Sequence, residues 1–202
     1  MAYRKFTLEM LEKDCGLVIS NESIELPKAP ITPSQVLLDE LQHARKIPHL
    51  SEKARSEWLV APIFRDLHRT NNYNFNIYSG YVLNADKKKK LNGECDFLFT
   101  GGEFNLLEVQ MPVFTAVEAK RNEIEEGLPQ AAAQMLGAYI YNQKKGIISE
   151  VIYGASTNAF EWIFLKLEKG KFLTIDTQRY YLSDVTQLLS IFQGILKVSL
   201  DK

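Results

Sequence analysis

The 202-residue chain is sparing with reactive residues: it has two cysteines, three histidines and a formal net charge of only −1. Cys15 and Cys95 stand far apart and form no zinc pattern, and His43, His49 and His68 lack helical ligand spacing. That excludes a disulfide scaffold; two reduced thiols in a cytoplasmic protein are the simplest expectation. No apolar run approaches the roughly 20 residues of a membrane span. The stretch Met1-Ala2-Tyr3-Arg4-Lys5-Phe6 also lacks the apolar segment of a secretory signal, so no membrane contact is expected. There is no Gly-rich phosphate loop followed by Lys-Ser/Thr, and no nucleophile elbow around Ser156. A near-neutral chain exerts no global pull on nucleic acid, so any such contact has to come from a local basic patch.

What is present suits a globular core: 46% of residues are hydrophobic and 24% charged. The length fits one domain with an N-terminal extension. We expect a helical extension over residues 1–50, packed on a core domain over 51–202. Within the extension, Phe6 to Asp14 reads as a helix capped by Thr7 and stopped by Gly16, followed by a brief strand at Leu17-Val18-Ile19. Asn21 to Pro33 reads as a loop, and a second helix runs from Ser34 to about Arg45 with Val36, Leu37 and Leu41 on one face.

Ser51 to Arg69 is strongly amphipathic, with Ala54, Trp58, Ala61, Ile63, Phe64 and Leu67 as its stripe and a kink predicted at Pro62. Asn74 to Asn84 is the first core strand, where Gly80 signals a bulge or a close backbone approach. Strands at Val151–Ala155, Trp162–Leu167 and Phe172–Ile175 follow, the last two joined as a hairpin through Glu168-Lys169-Gly170-Lys171. Ser183 is predicted to cap a final helix through Val198. The whole is α/β with a mixed central sheet flanked by helices.

The chemistry gathers between Gly93 and Gln134. Gly93 to Thr100 and Val113 to Lys120 read as strands, and on a strand alternate side chains share a face. Glu118 and Lys120 therefore point one way, while Val117 and Ala119 point into an apolar layer. By the same alternation Asp96 lies opposite Cys95, Phe97 and Phe99. Two carboxylates at one strand edge, with an ammonium beside them, offer the oxygen cluster that Mg²⁺, or Mn²⁺ in its place, selects. A lysine there can position a water and steady the charge that builds when a phosphodiester is attacked.

Asp96 followed by Glu118-Ala119-Lys120 at the end of a hydrophobic strand resembles the active-site signature of the PD-(D/E)XK nuclease superfamily. The tract Gly127-Leu128-Pro129-Gln130-Ala131-Ala132-Ala133-Gln134-Met135 resembles the Gln-bearing helix of its small single-domain members. The likeness covers roughly Ser51 to Leu167; Cys95 stands where the name-giving proline would be. It implies a restriction-endonuclease-like core, αβββαβ plus the C-terminal hairpin and helix. It also implies a Mg²⁺-dependent nuclease acting on DNA, with Asp96, Glu118 and the Ala119 carbonyl on the metal and Lys120 at the water. Gln130 would complete the site, and Glu57 from the first core helix would approach the metal, with Glu52 as the weaker substitute. Solvent exposure is the expectation for Gln134.

Lys87-Lys88-Lys89-Lys90, in an exposed turn before the Asp96 strand, and Arg121 are the candidate phosphate contacts. A sequence-specific enzyme would need a partner or a homodimer. Two alternatives stand beside the nuclease: a nucleic-acid-binding module on the same fold without turnover, and a protein-interaction domain whose Glu-x-Lys is accidental.

Overall fold

Period-2 apolar runs pair into a sheet and amphipathic runs cover it. The computed structural model describes residues 3–72, 74–105, 109–120 and 123–201. The helices are α1 (Leu8–Cys15), α2 (Gln35–Ala44), α3 (Glu52–Arg55), α4 (Ala61–Thr70), α5 (Leu128–Lys144) and α6 (Val185–Leu200). The strands are β1 (Val18–Glu22), β2 (Asn76–Asp86), β3 (Leu91–Thr100), β4 (Val113–Ala119), β5 (Val151–Thr157), β6 (Glu161–Glu168), β7 (Phe172–Asp176) and β8 (Tyr180–Tyr181). Among the described residues no helix is long and apolar enough to cross a membrane.

The sheet is open and mixed, in the order β1-β7-β6-β5-β4-β3-β2, with the short β8 beside β6. β2, β3 and β4 form an antiparallel meander, whereas β4 and β5 are parallel. A parallel pair needs a crossover, and α5 supplies it. One face carries α5, α1 and the 3₁₀ turn Tyr3–Lys5 over Leu98, Ala116, Ile152 and Leu165. The other carries α4, α6 and α2 over Phe97, Phe99, Val117 and Phe164. Phe64 of α4 meets Phe97, Phe99 and Phe192 edge-on, which locks α4 and α6 to that face.

Local signals set the helix ends. Thr7, Ser34 and Ser51 accept from the backbone N–H groups of Met10, Leu37 and Ala54, as their positions predict. The last helix is capped by Asp184, whose carboxylate accepts from Gln187 N at 3.0 Å, and not by Ser183.

The disturbance expected at Pro62 takes the form of a π-helical turn over Ser56–Val60, with Ala61 N–H reaching back to Ser56 O. The wider turn absorbs an extra residue and shifts the helical phase. Leu59 and Val60 are buried in consequence, and Trp58, placed by simple periodicity on the apolar stripe, is 43% exposed. Val36 of α2 is likewise exposed, and Leu37 takes the buried position.

Residues 1–50 do more than pack against a finished core. β1 pairs in parallel with β7 and so extends the sheet. Tyr3 is fully buried under α5, its hydroxyl donating to Leu83 O at 3.1 Å. Gly137 of α5 makes room for that ring, since a Cβ there would collide with the Tyr3 hydroxyl.

Candidate active site

Glu118 and Lys120 leave the C-terminal end of β4 on the same face, as their spacing requires, and that face meets α5. Lys120 Nζ lies 2.5 Å from Glu118 Oε1 and donates to Gln130 Oε1 at 3.0 Å. The other oxygen of Glu118 accepts from Gln134 Nε2 at 2.7 Å. Gln134 is fully buried, which corrects the expectation of solvent exposure. Its position one turn after Gln130 puts both amides on the helix face that meets β4. The same Nε2 lies 3.3 Å from Glu94 O, and Gln134 Oε1 has no partner among the described residues. Close approach of α5 depends on Gly127, where a Cβ would stand 3.1 Å from the Lys120 stem and collide with Ser156.

Asp96 reaches the same strand end by a different route. β3 pairs with β4 only from Phe97 to Thr100, and beyond that point Asp96 Oδ2 accepts from Ala119 N at 2.7 Å. A side chain thus takes over where the ladder stops. Gly80 stands opposite, between the Ser79–Phe97 and Tyr81–Cys95 pairs, with φ +64°.

The register does not shift there, so this is no bulge. Instead the alternation of faces reverses. Ile77, Phe97 and Phe99 pack toward α4 and α6, whereas Leu83, Leu91 and Cys95 pack toward α5. Cys95 and Phe97 therefore lie on opposite faces, contrary to strict alternation, because a left-handed residue turns the two-stranded ribbon. The ribbon then folds over α5, where Lys144 Nζ donates to Ala85 O at 2.7 Å.

Negative charge is in excess at this strand end. Burial, and then the Asp96 charge, push the Glu118 carboxyl up to about 8, against the pull of Lys120 and Gln134. Asp96 is raised as well: burial comes first, the Ala119 N–H and Lys120 oppose it, and the Glu52 charge adds to it. Cys95, beneath both carboxylates, is held well above the usual thiol range, chiefly by burial. It is a neutral packing residue.

Asp96 also lines an open groove of about 380 Å³ with Arg4, Glu52, Ser56, Glu57 and Glu94. Glu57 sits on this groove but faces Lys53 at 3.7 Å and is largely exposed. Glu52, 3.5 Å from Arg4, is the helix carboxylate whose charge acts on Asp96. Arg4, Glu94 and the bond from Gln134 were not foreseen. Gln134 carried a signal in its spacing from Gln130; Arg4, distant in sequence, carried none.

The lysine turn lies elsewhere. Lys87–Lys90 close the β2–β3 ribbon, where Asp86 Oδ1 accepts from Lys88 N and Lys89 N. Ala85, just before it, touches the last turn of α5, ten residues and about 15 Å of helix beyond Gln134. Arg121 falls outside the described residues.

The described residues hold no group of three His, Cys, Asp or Glu that could cage a metal by themselves. Two carboxylates with raised proton affinity stand at this strand end: Asp96, on the groove, and Glu118, fully buried with Lys120 and Gln134 on its two oxygens. Mg²⁺ typically takes one or two carboxylates and completes its shell with water and substrate phosphate, so a pair of this kind is a protein set that could hold it. No family model, curated protein or solved structure matches this chain.

Proposed function

We propose that this chain is a PD-(D/E)XK-like, Mg²⁺-dependent nuclease that hydrolyses phosphodiester bonds in DNA. One observation carries the reading. The Glu118 carboxylate, the Lys120 ammonium and Asp96, tied to the Ala119 amide, meet at one end of β4. The antiparallel meander β2-β3-β4, with α5 crossing to a parallel β5, supports it, since the resemblance implies three strands, a helix and a strand in that succession.

Asp96, Glu118 and the Ala119 carbonyl would hold Mg²⁺, with Glu52 or Glu57 at the rim of the groove. Bound there, the ion would supply charge neutralisation at the phosphoryl oxygens. Gln134 orients Glu118 by holding Oε2, so that its other oxygen faces Lys120. Gln130 holds the Lys120 ammonium from the α5 side. Lys120, held by these two side chains, would donate to an attacking water or to a phosphoryl oxygen as negative charge builds.

A counter-charge lysine and a catalytic one differ in consequence. The first matters most without metal; the second matters most in the transition state. Lys120→Met keeps the apolar stem. It should leave DNA binding in Ca²⁺ near normal and lower cleavage in Mg²⁺ by about a hundred-fold or more. The assay is gel-resolved cutting of linear, supercoiled, single-stranded and branched DNA. Absence of Mg²⁺- or Mn²⁺-dependent cutting by the wild type would sink the reading. The second reading, a binding module without turnover, would then take its place. It is favoured by the net charge of −1 and by the distance of the lysine turn from the carboxylates.

A further inference from the structure

A second and larger depression, about 730 Å³ and as open as the carboxylate groove, lies beside it. α3 and the π turn border both: Glu52 and Ser56 face the groove, Arg55 and Leu59 the cavity. Its volume is in the range of pockets that enclose small molecules, about 300–1,000 Å³. Three features define what would fit.

The first is exposed aromatic surface. Phe160 and Tyr181 line the cavity while 44% and 47% exposed, and the His49 ring lies nearly parallel to Phe160, 19° between planes and 6.3 Å between centroids. The second is fixed positive charge. Arg55 is held over the Phe160 ring at 5.3 Å, with Nε on His49 O at 3.3 Å and Nη1 on Asn158 O at 3.4 Å. Arg45 stands at the rim and has no carboxylate within ion-pairing distance among the described residues. Glu161, the one acidic residue of the lining among the described residues, is bound by Arg179 at 2.8 Å. The third is an unmet polar group: His49 Nδ1 is buried without a hydrogen-bond partner among the described residues.

Two exposed aromatic rings, two cations and an orphaned ring nitrogen match a ligand that joins a flat heterocycle to an anion. We propose that this cavity binds a single nucleotide, its base stacked on Phe160 and Tyr181 and its phosphate facing Arg45 and Arg55. Stacking accepts any base, because every base has a π-face. The nucleotide can be a free monophosphate or the phosphorylated end of a single strand. The binding does not depend on cleavage at Glu118 and can be measured without metal.

The test is calorimetric titration of the full chain in EDTA with thymidine 5′-monophosphate, thymidine and deoxyribose 5-phosphate. The monophosphate should bind at least about tenfold more tightly than either fragment. Arg45→Ala and Phe160→Ala should each weaken it by about fivefold or more, with cooperative unfolding retained in both; the melting temperature should hold in Arg45→Ala, whose side chain is exposed, and fall slightly in Phe160→Ala, which loses its His49 and Arg55 contacts. Asp96→Asn should leave it unaltered, which separates this cavity from the carboxylate groove. Absence of monophosphate binding, or an affinity that either cavity variant leaves unchanged, overturns the proposal. Short single strands with and without a 5′-phosphate distinguish the sources. A phosphorylated strand favoured by about tenfold identifies a strand end, whereas equal binding identifies the free nucleotide; both support the pocket.

Discussion

Gln134 donates to Glu118 Oε2 at 2.7 Å, both side chains are fully buried, and Gln134 Oε1 is left with no partner among the described residues. A buried carboxylate that loses a donor is penalised far more when charged than when protonated. Gln134→Leu should therefore destabilise the metal-free protein by about 1–3 kcal/mol, and more at alkaline than at mildly acidic pH. Urea unfolding at the two pH values checks this, and a cost independent of pH would argue against a donor role.

Stability without metal should fall as pH rises. Glu118 titrates near 8 in the folded chain, against an ordinary 4.5. Between those values the folded state keeps a proton that the unfolded state has released, so raising the pH favours unfolding. Asp96, also raised, adds in the same direction. We expect a loss on the order of a few kcal/mol across that window, levelling off above it. Glu118→Gln should flatten the profile; an unchanged slope in that variant would place the titration elsewhere.

Asp96→Asn keeps an oxygen for the Ala119 N–H and removes a charge that burial disfavours. It should stabilise the metal-free fold slightly, by about 0.5–1 kcal/mol at alkaline pH. Mg²⁺ should raise the melting temperature of the wild type and leave the variant where it was. Equal Mg²⁺ shifts in both proteins would count against the site.

Gly80→Ala isolates the cost of the backbone turn opposite Asp96. A Cβ at Gly80 would meet Glu94 Oε1 at 3.5 Å, an ordinary contact, so the penalty comes from φ +64° alone. We expect about 1 kcal/mol for Ala and less for Asn, which tolerates that conformation better. If Ala and Asn were equally harmless in thermal melts, the left-handed turn would not be what bends the ribbon.

Much of the fold could be read along the chain, because caps and periodicities are settled by the backbone within a few residues. Thr7, Ser34 and Ser51 cap where their spacing says. Lys169-Gly170 closes its hairpin with both residues at positive φ. Glu118 and Lys120 share a face because strand side chains repeat every two residues.

What a side chain meets on that face was decided only when distant segments packed. Whether Gln134 was exposed or buried depended on how near Gly127 lets α5 come to β4. Cys95 and Phe97 parted because Gly80, on another strand, turns the ribbon at Asp96. That same turn carried the four lysines along α5 and away from the carboxylates. β1 joined the sheet because β7 presented it an unpaired edge. Local geometry sets the direction of each residue, but burial, charge coupling and proximity belong to the surfaces that meet, and those form only in the folded chain.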